Sequence, residues 1–212
     1  MAQYPLLLTL PTIFSADNFF VSDCNREAWQ AVSAWPDWSS HALLICGPRG
    51  SGKSHLGQIW AERAGAYILT ANEPDKEPDN HHWLIEDIEQ FEDERKLLHW
   101  FNYTRENKRN LLLTSSVLPP QLPFILPDLT SRLLAIPYVS IHDADDEALL
   151  GAMRKQFSDR QMKVADDVIA YLLPRMDRSF AAVIAMVEKL DKAALAERRT
   201  LTIPFVKRLL ES

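Results

Sequence analysis

The chain has 212 residues, of which 47% are hydrophobic and 25% are charged, and its formal net charge is −6. This composition is typical of a globular protein and excludes collagen, coiled coil and intrinsic disorder. No apolar run reaches the roughly 20 residues that cross a bilayer, so no association with a membrane is expected. The acidic balance disfavours strong DNA binding, because DNA affinity depends largely on neutralised phosphates.

Cysteine usage and the start of the chain indicate the compartment. The two cysteines, Cys24 and Cys46, are too few for a disulfide framework and form no CxxC pair. No lysine or arginine precedes Arg26, so the basic region of a secretory signal is lacking. The six histidines show no metal-ligand spacing. We therefore expect a reduced, cytoplasmic protein.

The first two thirds of the chain alternate between strand and helix patterns. Residues 1–13 are broken by Pro5 and Pro11 and predict an extended arm. Asn25 is expected to cap the first helix. Short apolar runs predict strands at 42–46, 66–70, 83–85, 111–114 and within 135–141, and the segments between them predict helices at 26–34, 53–63 and 94–107. This alternation indicates a parallel sheet covered by helices.

The pattern changes near residue 142, after which only helices are predicted. They cover residues 145–158, 166–174, 179–196 and 203–211. Asp143 or Asp145 begins the first of them, with acidic residues in the turn where the helix dipole favours them. We therefore divide the chain into an arm over 1–13, an α/β domain over 14–141 and an all-α subdomain over 142–212.

Three of the six glycines lie in one short segment, GPRGSGKS over 47–54, between a predicted strand and a predicted helix. The segment matches GxxxxGK[ST], in which backbone N–H groups and a helix N-terminus bind phosphates. Lys53 is expected to reach the β- and γ-phosphates of bound ADP or ATP, and Ser54 to hold Mg²⁺. The predicted nucleotide-binding residues of this region are Gly47, Pro48, Arg49, Gly50, Ser51, Gly52, Lys53, Ser54 and His55.

Two acids follow the third predicted strand. Glu86 lies where an acid linked to Mg²⁺ is expected, and Asp87 where an acid that activates water is expected. Many such sites have aspartate first, and one added methylene moves a carboxylate by roughly 1 Å, a shift that can lower a rate about 100-fold. The pattern therefore favours nucleotide binding over fast hydrolysis.

Several segments resemble the AAA+ ATPases, in the branch of the bacterial replication initiator DnaA. Residues 18–26 (NFFVSDCNR) resemble the segment that wraps the adenine, with a serine at Ser22 in place of the usual glycine. This resemblance implies that Phe19, Phe20 and Val21 line the base. Residues 111–116 (LLLTSS), followed by a proline pair, resemble the sensor-1 strand, with Ser116 where family members often have aspartate.

Two arginines acquire roles from the same resemblance. Residues 126–133 (LPDLTSRL) resemble the motif that carries the arginine finger, which places that role on Arg132. Residues 175–180 (RMDRSF) resemble the start of the sensor-2 helix, which places nucleotide binding on Arg178. A guanidinium suits both roles because it keeps its charge and offers a planar fork of donors.

The last residues of the chain resemble one particular family within this branch. Residues 190–206 (LDKAALAERRTLTIPFV) are similar to the terminus of the Hda family, DnaA-related regulators that inactivate the initiator. The resemblance implies a P-loop AAA+ fold, an α/β parallel sheet flanked by helices and followed by a small all-α lid. It also implies that the protein represses the initiation of DNA replication by supplying Arg132 to the ATP site of DnaA. AAA+ sites are completed between subunits, which also allows a homodimer.

The resemblance carries two further expectations about partners. Gln3, Tyr4, Leu6, Leu7 and Leu8 of the arm resemble the peptide by which Hda proteins dock on the DNA sliding clamp, the beta subunit of DNA polymerase III. Initiators touch single-stranded DNA through helices between their second and third strands. Here residues 71–82 (ANEPDKEPDNHH) leave no room for such helices and their acids would repel phosphate, so little or no direct DNA binding is expected.

Three alternatives stay open. An independent AAA+ ATPase of the helicase-loader type would turn over ATP by itself through Lys53. A nucleotide or small-molecule kinase would need a basic lid, which the acidic connection over 71–82 does not offer. A DNA-binding module is disfavoured by the net charge and by the absence of a helix-turn-helix domain.

Overall fold

The structure is a computed structural model that describes residues 19–69, 81–197 and 199–211. The predicted arm over 1–13 and its candidate clamp-binding residues lie outside the described residues. So does most of the acidic connection over 71–82. Within the described ranges, no helix is long and apolar enough to cross a membrane.

The α/β part contains one five-stranded sheet. Its elements are α1 (Arg26–Ser33), β1 (Ala42–Cys46), α2 (Lys53–Ala64), β2 (Tyr67–Leu69), β3 (Trp83–Ile85), α3 (Glu94–Glu106), β4 (Leu111–Ser115), α4 (Pro127–Ala135) and β5 (Tyr138–Ser140). The strands are all parallel, in the order β2-β3-β4-β1-β5. Both faces are covered by helices, which explains why β1, β3 and β4 are buried along their whole length.

The hydrophobic core is divided by the sheet into two clusters. One cluster packs α3 and α4 against the sheet around Trp83 and Leu113, and the other packs α1 and α2 around Leu56 and Trp60. This α/β arrangement confirms the predicted parallel sheet flanked by helices.

The helical part of the chain has a core of its own. It consists of α5 (Asp146–Asp159), α6 (Asp166–Leu172), α7 (Phe180–Glu197) and α8 (Ile203–Glu211). Asp145 caps α5, since its Oδ1 accepts from the amide of Ala148 at 2.7 Å. Fully buried side chains from all four helices, Leu149, Leu172, Val187 and Val206 among them, meet in this core. The predicted small all-α subdomain is thereby confirmed.

Two local features differ from the expectations. Helix α4 is absent from the predicted elements, although Pro127 occupies its first turn, where the missing N–H of proline costs nothing. Because α4 ends at Ala135, the fifth strand is confined to Tyr138–Ser140. Asn25 does precede α1, but its side chain makes no capping hydrogen bond to that helix. Its Nδ2 instead donates to the carbonyl of Phe20, and its Oδ1 accepts from the amide of Ser22.

Candidate functional site

The phosphate-binding loop (residues 47–54) connects β1 to α2 and uses its glycines in two ways. Gly50 and Gly52 have φ values of +76° and +102°, which glycine adopts without the strain that a Cβ would bring. At Gly47 the requirement is space, because a Cβ there would lie 2.5 Å from the carbonyl oxygen of Ile141. The loop can therefore start beside the end of β5 and turn sharply into α2.

Lys53 is the first residue of α2 and is buried inside the loop. Its Nζ donates to the carbonyls of Gly47 at 2.7 Å and Pro48 at 3.0 Å. Burial lowers the pKa of Lys53, while the carboxylates of Asp87 and Glu89 act to raise it. The loop thus holds an amine among its own carbonyls, close to acids that follow β3.

Those acids differ in their surroundings. The amide of Asp87 donates to the hydroxyl of Thr114 at 2.9 Å, which ties the turn after β3 to β4. The Oε1 of Glu86 is buried and has no hydrogen-bond partner among the described residues. A buried carboxylate oxygen of this kind fits a cation or a cation-bound water.

A third acid, Glu89, was not among the predicted site residues. It lies in the short 3₁₀ turn Ile88–Gln90 and accepts hydrogen bonds from both the amide and the hydroxyl of Ser116. Burial acts to raise the pKa of Glu89, but hydrogen bonds from Ser116, from its own backbone amide and from Ser115 together outweigh it, so this pKa is lowered. The predicted sensor-1 residue is therefore already engaged with a carboxylate. In the sequence, the only indication of this role is that Glu89 follows Glu86 by three residues, a spacing that brings two side chains close together in a turn.

Mg²⁺ is implied by the loop motif, and the donor set decides how it could be held. Among the described residues, no group of three or more His, Cys, Asp or Glu side chains could hold a metal ion alone. The predicted residues Ser54 and Glu86 offer one hydroxyl and one carboxylate. They fit an ion that takes its remaining ligands from phosphate oxygens and water, as Mg²⁺ does.

A cavity of about 230 Å³ opens beside the loop, between the two parts of the chain. It is lined by Phe19, Phe20, Asn25, Gly50, Gly52, Lys53, Ser54, His55, Ala152, Gln156, Phe180, Ala181, Val183 and Ile184. Seven of the predicted nucleotide-binding residues are thus brought together. Asn25, Ala152, Gln156 and the residues from α7 are not among the predicted site residues. All of them except Asn25 reach the cavity only because the helical part packs on the loop.

Phe19 and Phe20 form an aromatic wall of the cavity, and neighbouring side chains hold both rings in place. Phe19 is stacked on Trp29 with ring centroids 5.2 Å apart, and it meets the ring of His55 edge-on. Phe20 faces α5 and Phe180. Asn25, 1% exposed, fixes the backbone between them through its bond to the Phe20 carbonyl. Val21 is not among the lining residues, and its predicted contact with a base stays a prediction.

The helical part closes directly on the loop. The amide of Ala181 donates to the carbonyl of Gly50 at 3.3 Å, and a Cβ at Gly50 would lie 3.0 Å from Ser179. The first turn of α7 therefore packs directly on the phosphate-binding loop. A conformational change of the loop would act on this helix through direct contact.

The two predicted functional arginines are not among the residues that line the cavity. Arg132 projects from α4, and its Nε and Nη2 contact both carboxylate oxygens of Asp128 at 3.1 and 3.2 Å. Arg178 precedes α7 and pairs with Asp146 at the start of α5. The predicted contact of Arg178 with nucleotide, like the assignment of Pro48, Arg49 and Ser51, stays a prediction.

A five-stranded parallel sheet, a GxxxxGK[ST] loop after its β1 strand and a helical subdomain resting on that loop define the P-loop AAA+ fold. Residues 145–210 match the family model described as "Hda, lid domain". The sequence of the lid is therefore similar to that of the Hda family, and the fold of the chain is that of an AAA+ protein.

Solved structures agree with this fold. Domain III of the Thermotoga maritima replication initiation protein DnaA is similar with a TM-score of 0.81 and 18% identity, covering 93% of this chain and 95% of that one. AMPPCP-bound DnaA from Aquifex aeolicus has a TM-score of 0.71 and 19% identity, over 89% of this chain and 68% of that one. The Thermotoga maritima Holliday junction branch migration motor RuvB has a TM-score of 0.71 and 14% identity, over 93% and 71%.

Proposed function

We propose that the chain is a nucleotide-binding regulator that represses the initiation of replication by stimulating ATP hydrolysis in DnaA. It binds ADP or ATP with Mg²⁺ in its own loop. It is tethered to the DNA sliding clamp by the arm residues Gln3, Tyr4, Leu6, Leu7 and Leu8. It then presents Arg132 to the ATP site of an adjacent DnaA molecule, either as a monomer or as a homodimer.

The observation that carries the proposal is the position of Arg132. Its guanidinium is bound by Asp128 in a bidentate ion pair and is not among the residues lining the chain's own cavity. An arginine so placed serves a neighbouring molecule more readily than its own nucleotide. Arginine fingers supplied in trans raise phosphoryl-transfer rates by about 10³ to 10⁵.

Nucleotide binding is supported by the loop and the cavity. Backbone N–H groups at the start of α2 and the ammonium of Lys53 bind phosphates, and the wall of Phe19 and Phe20 suits a planar base. Ser54 and Glu86 would hold Mg²⁺, which neutralises phosphate charge when bound. The bound nucleotide would bridge the loop and α7, which already meet at Gly50 and Ala181.

The proposal is tested by measuring ATP hydrolysis by DnaA in the presence of DNA-loaded clamp. Addition of the wild-type chain should accelerate hydrolysis, and Arg132→Ala should remove most of the acceleration. The matched control is Arg154→Ala, which also breaks an Arg–Asp pair, with Asp166, but in the lid. Equal acceleration by wild type and Arg132→Ala would overturn the proposal.

A second candidate, an independent AAA+ ATPase of the helicase-loader type, is favoured by one observation. Glu86, Asp87 and Glu89 follow one strand, and two of them influence the charge of Lys53. Such a protein would hydrolyse ATP without DnaA, and Lys53→Ala would abolish that turnover. Lack of turnover by the purified wild-type chain would exclude this candidate.

A further inference from the structure

Phe19 and Phe20 are adjacent in sequence but pack into different cores. Phe19 belongs to the cluster around Leu56 and Trp60 under the sheet. Phe20 packs against the lid cluster that contains Leu149 and Met153. Both rings also line the cavity. Two consecutive side chains therefore pack into the α/β part and against the lid, respectively, at the wall of the proposed nucleotide site.

The lid receives Phe20 at a glycine. Gly151 lies in the middle of α5, where glycine costs about 1 kcal/mol relative to alanine. Its φ is not in the left-handed region, so backbone freedom does not account for it. A Cβ at Gly151 would lie 2.4 Å from Cζ of Phe20 and 3.0 and 3.2 Å from its Cε2 and Cε1 atoms. The missing side chain provides the space that the ring occupies.

The ring has few ways to avoid a methyl group at that position. The carbonyl of Phe20 is bound by the Nδ2 of Asn25 at 2.9 Å, and Asn25 is itself buried and bound to Ser22. The backbone is thus fixed, and a phenyl ring is rigid. Displacement would turn the ring towards the cavity that it shares with Ala152, Gln156 and Phe180, or push α5 away from the loop.

We propose that Gly151 is a positioning residue for the nucleotide base, acting through Phe20. By leaving room for the ring, Gly151 determines both the width of the cavity and the position of α5 relative to the loop. A base bound against Phe20 therefore stabilises the closed position of α5. This inference rests on the proposed nucleotide binding and deepens it by naming the contact that joins the base to the lid.

A double-mutant cycle tests the contact. ADP affinity is measured by calorimetry for wild type, Gly151→Ala, Phe20→Ala and the double variant of the full chain. Gly151→Ala should weaken ADP binding about tenfold when Phe20 is present and less than about twofold in the Phe20→Ala background, a coupling usual for residues in contact. If Gly151 mattered only within α5, Gly151→Ala would raise the stability of the folded chain, since alanine stabilises a helix interior relative to glycine.

Gly57→Ala is the matched control. Gly57 is a second helix-interior glycine, and a Cβ there would face the side chain of Leu84 in the sheet, away from Phe20. Its effect on ADP affinity should therefore be the same with and without Phe20. If Gly151→Ala fails to fold, the double variant should fold, because removal of the ring removes the clash.

The outcomes separate the two proposals. If neither ADP nor ATP binds to the wild-type chain, nucleotide binding is contradicted and the role of Gly151 falls with it. If ADP binds to wild type, but Gly151→Ala has no effect or the same effect in both backgrounds, only the role of Gly151 is overturned. Failure of both Gly151 variants to fold would overturn it as well.

Discussion

Glu89 and Ser116 are hydrogen-bonded to each other at the site, although they follow different strands. The carboxylate accepts hydrogen bonds from both the amide and the hydroxyl of Ser116, and its charge acts to raise the pKa of the nearby Lys53 against the lowering by burial. The hydroxyl of Ser116 therefore does not have its proton available for a phosphate oxygen. An additional negative charge also lies near the loop that is expected to bind phosphates.

From this pair we expect Glu89→Gln to strengthen binding of ATP relative to ADP by about three- to tenfold. Loss of one charge near a third phosphate removes a repulsion on the order of 1 kcal/mol. The affinities of both nucleotides can be compared by calorimetry. Glu92→Gln, which makes the same change at an exposed position nearby, should leave the ratio unaltered. An unchanged ratio in Glu89→Gln would contradict the expectation.

Stability should depend on pH through His82. Burial, with help from Arg109 and His81, lowers the pKa of His82, and its Nδ1 accepts a hydrogen bond from the amide of Asn110, which only the neutral ring allows. Since the folded pKa lies below the unfolded value near 6.5, this stability is present above pH 6.5 and is lost as the pH falls through the folded pKa.

His82→Asn should reduce that pH dependence. An asparagine can keep an acceptor for the Asn110 amide but has no proton to gain in this range. The free energy of unfolding, measured with urea between pH 7 and 5, should fall less in the variant than in wild type. An identical fall in both proteins would show that His82 is not responsible.

Asp128 should orient Arg132 without taking part in the chemistry. Asp128→Asn removes the charged partner, so stimulation of DnaA hydrolysis should fall about three- to tenfold, which is less than the loss in Arg132→Ala. Arg132→Lys should not restore stimulation, because lysine lacks the planar fork. Full activity of Arg132→Lys would indicate that charge alone is required.

The proposed clamp tether can be tested separately from the nucleotide site. Replacement of Gln3, Leu6 and Leu7 by alanine should abolish capture of the chain by the sliding clamp and leave its ADP affinity unchanged. Capture by immobilised clamp and calorimetry provide the two readouts. Undiminished capture would mean that the arm does not carry the interaction.

The features that can be predicted from sequence are those with local causes. The bounds of β1 and β3 follow from apolar runs flanked by loop residues, and the glycine-rich loop is defined by its own spacing. Helix α4 is harder to predict, because it is only nine residues long and contains the β-branched Thr130.

The missed site residues depend on partners that are remote in sequence. Glu89 acquires its role from Ser116, and Gly151 acquires its role from Phe20. The side chain of Asn25 does not cap α1, because it is hydrogen-bonded instead to the amide of Ser22 and the carbonyl of Phe20 in the preceding turn. The Glu89–Ser116 pair arises when neighbouring strands of the sheet come together, and the Gly151–Phe20 contact arises when the lid packs on the α/β part.

The central claim is that the ATP hydrolysed belongs to DnaA and that Arg132 accelerates its hydrolysis. The most direct measurement preloads DnaA with γ-labelled ATP, adds the chain loaded with unlabelled ADP together with DNA-loaded clamp, and follows the release of labelled phosphate. The account predicts rapid release with wild type and a rate near that of DnaA alone with Arg132→Ala. Rapid release with Arg132→Ala, or no acceleration by wild type, would contradict it.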